Sequence, residues 1–427
     1  MAILVKPPLL LATPIERTID QRAFWSFIAI AQDGWPIAKL PYTRHDIACN
    51  KFISELLGSR CEYLLILDSF RVHPVDITGI VGEAQEKEEA DIIATKDNAA
   101  VLIHKEIFRE WPPPWFRYDF DDYLYHAEQP TGWVDDWPGF YEQANEHGAK
   151  IAYIDVKSPH IDECPSDWET YLIHTDKRTD RDVLVTVPME RTINGLSFHS
   201  FLEIARQGYA FAAGSYKRCD KARQDAAQKA MEWHYHLLLM LDSDHLHPPD
   251  VVMRLMARMG GGKDRLVVSG LNYRRSPPFD SLAGWWCKDK PGWDTPYTWP
   301  NQLTEVDITG SGAMLINTEV FEKLPTPWFG YSYNSEAPNE FPGVDIWFCR
   351  LCNANGIKLW VDPNMTSPHL ADAQVDRAMF DTHLARTKGK VQVEWQESRV
   401  CAASRSGTKA RPGLRQPRLP SGVARGH

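Results

Sequence analysis

The sequence has few closely spaced cysteines and no long apolar run. Its eight cysteines are scattered, and only Cys349 and Cys352 form a CxxC, in an apolar stretch typical of a helix. Structural zinc sites normally need two such pairs, so we expect core thiols in a reducing compartment. No stretch is apolar for long enough to cross a membrane, and the opening MAILVKPPLLLATPIER is a poor signal peptide but a reasonable buried strand. These absences predict a cytoplasmic protein.

The sequence also lacks an excess of basic residues. The 47 Lys and Arg are outnumbered by 57 Asp and Glu, and the net charge of −10 argues against general nucleic-acid binding through the main body. The 427 residues suffice for two or three domains with sizeable cores. The end of the chain differs, because from Ser398 it has no acidic residue and many Arg. This composition predicts a basic, disordered tail over 388–427, which we interpret as inert, with binding to an anionic surface as the alternative.

What the sequence does contain is an internal repeat. The stretch LLILDSFRVHPVD (64–76) returns further along the chain as LLMLDSDHLHPPD (238–250). TPIERTI (13–19) returns as VPMERTI (187–193), and the spacing between the two copies is the same. A constant offset over this length predicts a tandem duplication without gaps.

The match continues with a larger offset towards the end of each copy. AAVLIHKEIF (99–108) returns as GAMLINTEVF (312–321), so the second copy contains an additional segment around 271–302. GAKIAYIDVKSPHI pairs with GIKLWVDPNMTSPHL, which ends at Leu370. We therefore predict a first domain over 1–180, a second over 181–387, and then the tail.

Each copy alternates short apolar runs with helical patterns. In the second copy VLVTVP, LLLML and RLVVSG predict strands, whereas SFHSFLEIARQ and DKARQDAAQKAMEW predict helices. Continuous apolar strands separated by helices favour a mostly parallel sheet covered on both faces. The predicted fold class is therefore α/β, with two tandem Rossmann-like domains.

Two carboxylates follow one of these strands directly. Asp242 and Asp244 flank Ser243 immediately after LLLML. Ligands of α/β sheets bind beyond the carboxyl ends of strands. Carboxylates at i and i+2 suit Mn²⁺ or Mg²⁺, which usually also binds phosphate oxygens. The alternative is an Asp-rich turn that caps the next helix.

The ordered motifs of residues 182–370 resemble a GT-A glycosyltransferase of the family 2 type. VTVPMERT resembles the first strand and nucleotide loop, and Ala222 to Gln224 stand where the family often has Ala-Arg-Asn. GSGAMLI resembles its Gly-containing strand, and PGVDIWFCRLCNANGIKLWVD resembles its E-D-x-x-F-C-x-R segment. The resemblance implies GT-A domains and metal-dependent transfer of a sugar from a UDP- or GDP-sugar to an acceptor hydroxyl, with inversion. The family usually has Glu-Asp where this chain has Val344-Asp345, so the implied base is present without its usual neighbour.

The resemblance also implies roles for individual residues. Asp345 would take the proton of the acceptor hydroxyl, Asp244 and His369 would bind the metal, and Asp242 would support the metal or bind the ribose. The alternatives are that Asp345 only caps a helix and that His369 is a buried loop residue. The expected nucleotide-sugar contacts are Pro188, Glu190, Arg191, Asp220, Arg223 and Ser243.

The additional segment is rich in aromatic residues. Trp285 and Trp286 are candidates for stacking on an acceptor sugar, since aromatic rings pack on the apolar faces of sugars. A mobile lid or a packed loop is the alternative. The acceptor would carry a hydroxyl group, and these residues are compatible with a glycan, a lipid, a protein or another hydroxyl compound.

The first copy differs at several of these positions. Phe70 replaces Asp244, Cys49 replaces Arg223, and Asp97 and Ala99 replace two glycines. A phenyl ring cannot bind a hard cation, so we predict that the first copy has lost its chemistry and keeps a structural role. The candidate site residues that it retains are Asp68, His160 and the pair Asp135-Asp136.

Two other functions remain open. A sugar nucleotidyltransferase usually has a Gly-rich phosphate loop after its first strand, where this chain has PMERTING. A non-catalytic carbohydrate- or nucleotide-sugar-binding scaffold would not need the set Asp242, Asp244, Asp345 and His369. We therefore favour the glycosyltransferase.

Overall fold

The computed structural model describes much of the chain. The described residues are 9–15, 18–38, 45–109, 111–116, 137–159, 161, 172–173, 182–189, 192–213, 218–260, 264–275, 277–287, 292–331, 343–370, 374–375 and 377–387. The chain divides into two compact units, Met1–Arg377 and Ala378–His427. The predicted basic tail lies outside the described residues. Among those described, no helix combines the length and the apolar character needed to cross a lipid bilayer.

The first part of the chain forms a five-stranded sheet in the order β1-β3-β5-β4-β6. Its strands and helices are β1 (Leu9–Ala12), β2 (Thr18–Asp20), α1 (Gln21–Ala31), α2 (His45–Gly58), β3 (Tyr63–Leu67), α3 (Ile77–Glu88), β4 (Ile92–Thr95), β5 (Ala100–His104), a 3₁₀ turn (Lys105–Phe108), α4 (Trp137–Glu146) and β6 (Ile151–Ile154).

The second part forms an eight-stranded sheet in the order β15-β18-β12-β17-β11-β8-β10-β7. The strands are β7 (Leu172–Ile173), β8 (Val183–Val187), β9 (Thr192–Asn194), β10 (Ala210–Ala213), β11 (Leu237–Leu241), β12 (Val267–Leu271), β13 (Ala283–Trp286), β14 (Trp293–Asp294), β15 (Thr304–Val306), β16 (Ile308–Thr309), β17 (Ala313–Asn317), β18 (Leu359–Thr366), β19 (His369–Leu370) and β20 (Gln374–Val375). The helices are α5 (Gly195–Ala205), α6 (Cys219–Glu232), α7 (Val251–Met259), α8 (Glu319–Lys323), α9 (Val344–Ala354) and α10 (Arg377–Thr387).

The two sheets share one strand order. Strands β8, β11, β17, β12 and β18 are neighbours in the same sequence as β1, β3, β5, β4 and β6. Helices α5 and α6 begin at the residues that the repeat makes equivalent to the first residues of α1 and α2. The internal repeat of the sequence is therefore also a repeat of elements. The additional segment of the second copy provides β13 and β14, and β15 and β16 follow it before β17.

Both sheets are mixed, which confirms the α/β class, and each contains an antiparallel strand that the prediction of mostly parallel sheets did not include. Strand β5 is antiparallel to β3 and β4, and β17 is antiparallel to β11 and β12. Only four residues join β4 to β5, which is too short for a crossover, so the chain must return antiparallel. The predicted boundary near residue 180 stays a prediction, since β7 precedes it but pairs with β10 of the second sheet.

Alternation along the strands builds two hydrophobic layers on the first sheet. Leu9 and Leu11 of β1 belong to one cluster, whereas Leu10 and Ala12 belong to another beneath α2 and α4. Successive strand residues point to opposite faces, which explains this separation. The first cluster continues into the second copy, where it includes Val185 of β8. The two copies therefore share one continuous core.

Helices α1 and α5 pack against each other at the centre of this shared core. The ring centroids of Phe24 and Phe198, which are equivalent residues of the two copies, lie 5.7 Å apart. Phe24 and Phe201 are 5.7 Å apart, and the reciprocal pair, Phe27 and Phe198, is 5.5 Å apart. Such reciprocal contacts characterise a two-fold interface, here formed within one chain.

The strands that precede these helices obey the same symmetry. Strands β2 and β9 pair antiparallel, with Ile19 opposite its own equivalent, Ile193. The caps of the two helices match as well, because the Asp20 side chain accepts from the Arg22 amide and the Asn194 side chain accepts from the Leu196 amide. The pseudo-two-fold interface thus combines a strand pair and a helix pair.

The shared core generates a stability prediction. Phe24→Ala removes a fully buried ring from the pseudo-two-fold interface, so we expect a loss of about 3–5 kcal/mol in the free energy of unfolding. Because the core is continuous, amide hydrogen-exchange protection should fall in β11 as well as in β3. Leu57→Ala, at a side chain that is 36% exposed, is the control and should change neither. Unchanged protection of β11 in the Phe24 variant would show that the two copies unfold independently.

Candidate metal and carboxylate site

The candidate site lies at the carboxyl edge of the second sheet. Strand β11 ends at Leu241, and the Asp242 amide donates to the Gly312 carbonyl at 3.0 Å. Since β17 runs antiparallel to β11, the first residues of β17 lie beside the last residues of β11. Strand β18 is parallel to β12, so the residues after both strands also reach this edge. The topology thus concentrates the predicted residues where α/β sheets bind ligands.

A buried histidine fixes the loop that follows β11. The His247 ring donates through Nε2 to the Asp242 carbonyl at 2.9 Å, and its Nδ1 lies 3.0 Å from the Ser367 hydroxyl. A carbonyl only accepts, so Nε2 carries the proton and Nδ1 accepts from Ser367. Burial lowers the pKa of His247 to about 3, so the ring is neutral at physiological pH. The ring therefore ties the loop after β11 to the loop before His369.

Backbone bonds align these two loops further. The Leu246 amide donates to the Pro368 carbonyl at 2.8 Å, and the Leu370 amide donates to the Asp244 carbonyl at 2.7 Å. These two bonds form an antiparallel bridge in which His245 lies opposite His369. The side chains of both loops are consequently brought to one place.

Asp244, His245 and His369 form a cluster that could hold a metal ion. Each offers one ligand atom, and these atoms lie within 4.8 Å of one another. Asp244 Oδ1 is 3.0 Å from His245 Nδ1, and Asp244 Oδ2 is 3.0 Å from His369 Nε2. The structure therefore brings the predicted Asp244 and His369 together. His245 was not predicted, although its position beside Asp244 was a usable signal.

The hydrogen bonds of His369 suit a metal ligand. Its Nδ1 lies 3.0 Å from the Tyr273 carbonyl, so Nδ1 must carry a proton. The Nε2 lone pair of the neutral ring then faces the Asp244 carboxylate, which also only accepts, so a proton or a cation has to lie between them. Metal-binding histidines commonly donate their other nitrogen to a carbonyl in this way. His245 Nε2 is buried without a hydrogen-bond partner in the described part of the chain. These three side chains fit a divalent cation.

The Asp244 carboxylate is held in its charged form. Burial opposes ionisation, but hydrogen bonds from His245 and His369 outweigh it and keep the pKa of Asp244 well below its usual range. An ionised carboxylate is the form that binds metal.

A second group of charges adjoins the cluster. Arg223, whose side chain is 5% exposed, donates through Nη2 to Asp242 Oδ1 and through Nη1 to Asp345 Oδ1, both at 2.6 Å. Burial opposes its charge, but Asp345 and Asp242 raise the pKa of Arg223 above its usual value. Asp242 therefore pairs with Arg223 rather than joining the three-residue cluster. Arg223 was expected to contact the nucleotide or its phosphate. In the structure both terminal nitrogens of its guanidinium donate hydrogen bonds to carboxylates.

Asp345 lies in the first turn of α9, whose N-cap is Gly343, so Asp345 does not cap this helix. Its Oδ1 accepts from Arg223 and from the Ser311 hydroxyl at 2.6 Å, and its Oδ2 accepts from the Ser311 amide at 3.2 Å. Each carboxylate oxygen has about two acceptor sites, so among the described residues Oδ2 retains one free site. A proton could be taken only there.

Of the remaining predicted nucleotide contacts, two lie at this edge of the sheet and one pairs with a neighbouring arginine. Pro188 follows β8 at the same edge, and Ser243 lies between the two Asp residues after β11. Asp220 is bound by Arg218 Nη2 at 2.7 Å, and this hydrogen bond lowers the pKa of Asp220. Glu190 and Arg191 lie outside the described residues.

The two candidate acceptor residues differ in exposure. Trp285 is 39% exposed and stacks on Trp299, with ring centroids 5.8 Å apart and an interplanar angle of 26°. The indole nitrogen of Trp285 donates to the Glu305 carbonyl at 3.1 Å, which fixes its ring. Trp286 is partly covered by Arg350, whose guanidinium carbon lies 5.2 Å from the ring centroid. Trp285 is the better placed of the two for an external sugar.

The first copy keeps the scaffold of this edge. His73 Nε2 donates to the Asp68 carbonyl at 2.8 Å, and its Nδ1 lies 3.3 Å from the Ser158 hydroxyl. Burial lowers the pKa of His73 to about 4, as it lowers the pKa of its equivalent in the second copy. The amides of Val72 and Ile161 donate across the same two loops. The backbone that presents the cluster is therefore repeated.

The side chains presented by that backbone are different. Arg71 stands where the second copy has His245, and it donates to Asp97 Oδ2 at 3.1 Å with its Nε 3.6 Å from Asp68 Oδ2. An internal guanidinium thus lies among the acidic groups of this edge. Phe70 and the buried Cys49 occupy the positions expected from the sequence. His160, Asp135 and Asp136 lie outside the described residues.

Gly312 provides a test of the cluster. A Cβ atom at this position would come within 2.9 Å of His245 Nε2 and of the Asn272 side-chain nitrogen, so one of them must shift. We expect Gly312→Ala to weaken Mn²⁺ binding on the order of tenfold, as for residues that orient metal ligands. The measurement is an electron paramagnetic resonance titration of free Mn²⁺. Gly139→Ala, where nothing lies within 4 Å of the new Cβ, is the control. Equal Mn²⁺ affinity of the Gly312 variant and the wild type would exclude His245 from the centre.

Comparisons with known proteins assign no function to this site. No protein-family model and no curated protein matches the chain. Similar solved structures include A197 from STIV, with 20% identity and a TM-score of 0.34 over 45% of this chain and 86% of that one. Another is apo UDP-glucose pyrophosphorylase, with 8% identity and a TM-score of 0.26 over 39% of this chain and 60% of that one. TM-scores this low assign neither an activity nor a shared overall fold.

Proposed function

We propose that the chain is a metal-dependent glycosyltransferase of the GT-A type, family 2-like, with its active site in the second copy. The observation that carries the proposal is the cluster of Asp244, His245 and His369 at the carboxyl edge of an α/β sheet. The adjacent Asp345 supplies a carboxylate with one free acceptor site. The reaction would transfer a sugar from a nucleoside diphosphate to an acceptor hydroxyl.

Residues of the cluster would position a divalent cation. Two imidazoles and one carboxylate favour Mn²⁺ over Mg²⁺, because Mg²⁺ prefers oxygen ligands. A bound cation would neutralise the diphosphate as it leaves the sugar. Asp244 contributes a negative charge at physiological pH, and the Tyr273 carbonyl keeps His369 Nε2 turned towards Asp244.

Asp345 would accept the proton of the acceptor hydroxyl at Oδ2. Arg223 and Ser311 hold Oδ1, so the carboxylate cannot rotate freely and Oδ2 has a defined direction. Arg223 thereby acts as a positioning residue and also keeps Asp242 in place. Attack by the activated hydroxyl opposite to the diphosphate would invert the anomeric centre.

The exposed face of Trp285 would bind an acceptor sugar. Its ring is fixed by Trp299 and by the Glu305 carbonyl, so little conformational entropy is lost on binding. The first copy would contribute no chemistry, since Arg71 and Phe70 stand where the second copy has His245 and Asp244. Its role would be structural, through the pseudo-two-fold interface.

A second candidate function is non-catalytic binding of a nucleotide-sugar. The observation that favours it is that Asp345 already accepts three hydrogen bonds, one of them from the buried Arg223 guanidinium, and so has only one acceptor site left. A substrate hydroxyl would therefore have a single oxygen position on Asp345 to approach. A binding protein would retain the Mn²⁺-dependent affinity for the donor and lack transfer.

Paired substitutions in the two copies test the proposed metal centre. We expect Asp244→Ala to lower Mn²⁺-dependent release of nucleotide from a UDP- or GDP-sugar by about a hundredfold or more, since the cation stabilises the leaving group by several kcal/mol. Asp68→Ala, in the motif of the first copy, should leave the rate nearly intact. Thermal-shift screening of both nucleotide-sugars with and without Mn²⁺ identifies the donor to use. Loss of a separate transferase activity in the Asp68 variant would show that both copies are catalytic.

A further substitution separates the two candidate functions. Asp345→Asn keeps the shape of the side chain but removes the basic oxygen, so we expect transfer to fall by about 10²–10⁴-fold. The affinity for donor in the presence of Mn²⁺, measured by calorimetry, should change by no more than a few fold because the donor contacts remain. Unchanged transfer would reduce Asp345 to a structural partner of Arg223. A wild type that binds donor and transfers nothing to any acceptor would favour the binding protein.

A further inference from the structure

Arg275 lies against the candidate metal centre and has no part in the function proposed above. It belongs to the additional segment of the second copy, four residues after the end of β12. Its Nη1 is 3.2 Å from Asp244 Oδ2, the same oxygen that faces His369 Nε2. Its side chain is 59% exposed. A water-exposed guanidinium thus contacts the one carboxylate of the cluster.

The backbone of the chain before Arg275 is fixed, whereas its own side chain is not. The Tyr273 carbonyl accepts from His369, and the Arg274 amide donates to the Asp280 carbonyl at 3.0 Å. The Arg274 side chain pairs with Asp280 at 2.9 Å. Exposed ion pairs such as Arg275 with Asp244 are weak and readily exchanged. The guanidinium can therefore move while its point of attachment stays beside the cluster.

A divalent cation and this guanidinium compete for one carboxylate. A cation bound to Asp244 would stand within a few ångströms of the Arg275 charge, and two positive charges at that distance repel each other. When the cation is present, the nearest anions for Arg275 would be phosphate oxygens on the same cation. A planar guanidinium suits such oxygens because it can donate two parallel hydrogen bonds.

We propose that Arg275 is the internal counterion of the metal-free site and becomes a diphosphate ligand once a metal occupies Asp244. The proposal rests on the metal centre of the proposed function. It makes metal and diphosphate binding mutually favourable, because the metal frees the arginine and the diphosphate receives it.

The experiment measures two affinities in the full-length protein. Mn²⁺ alone is titrated by electron paramagnetic resonance, and UDP is titrated by calorimetry at saturating Mn²⁺. Arg275→Gln should bind Mn²⁺ alone about two- to fivefold more tightly, since an exposed ion pair no longer competes. The same variant should bind UDP about tenfold more weakly, since a charged hydrogen bond to phosphate is lost. Arg275→Lys should keep the wild-type Mn²⁺ affinity and lose part of the UDP affinity.

The control is Arg265→Gln, which changes the net charge equally. Arg265 precedes β12, at the opposite end of the strand from Arg275, and stacks on Trp360. It should leave both affinities unchanged. The opposite signs of the two effects distinguish the proposal from a loss of folding, which would weaken both.

Two results would overturn the proposal while leaving the metal centre intact. One is a wild type that binds Mn²⁺ and an Arg275→Gln variant with equal or lower Mn²⁺ affinity. The other is an unchanged UDP affinity in that variant. A wild type that binds no Mn²⁺ is a separate outcome, which would overturn the proposed function and this inference together.

Discussion

The site depends on one buried cation, the Arg223 guanidinium, between two carboxylates. Arg223 joins Asp242 after β11 to Asp345 on α9, two residues that are far apart in the chain. Asp345 in turn holds Ser311 before β17, so three elements meet through one side chain. Removing Arg223 would leave two partly buried carboxylates without their shared counter-charge, which costs several kcal/mol. The first copy has no guanidinium at this place, because the buried Cys49 stands where the second copy has Arg223.

Much of the fold could be predicted from the sequence because the repeat and the apolar runs are strong signals. The predicted strands VLVTVP, LLLML and RLVVSG correspond to β8, β11 and β12, and the two predicted helices correspond to α5 and α6. The antiparallel direction of β5 and β17 was not predicted, because an apolar run does not show which way its strand runs. The signal for β5 was the connection of only four residues between β4 and β5. The sequence assigned Asp242 to the metal or to the ribose, because a pattern along the chain does not reveal its contact with Arg223 on α6. The contact between Arg223 and Asp345 could not be predicted from the sequence, since the two residues lie on separate helices with most of the second copy between them.

The duplication also explains why a copy without its metal-site residues can persist. Its α1 and β2 provide half of an interface in which each contact has a reciprocal partner, such as Phe24 with Phe201 and Phe27 with Phe198. Without that half, the apolar faces of α5 and β9 would be exposed to water, and large exposed apolar patches favour aggregation. The first copy therefore takes the place that a second subunit would have in a two-fold dimer.

Comparing the copies separates the interactions that build the edge from those that act at it. The histidine that binds the carbonyl after the central strand is present in both, as His73 and His247, with a serine partner each time. That bond is architectural, because it persists where no metal cluster is found among the described residues. The positions that differ include two on the loop after that strand: Phe70 stands where the second copy has Asp244, and Arg71 stands where it has His245. In the first copy the Arg71 guanidinium contacts two acidic side chains of this edge, Asp68 and Asp97. The second copy instead presents two imidazoles and a carboxylate there, with its own guanidinium, Arg275, in a single exposed contact. In our proposal the single exposed contact of Arg275 leaves Asp244 able to exchange the guanidinium for an external cation, whereas Arg71 is held by two carboxylates of the first copy.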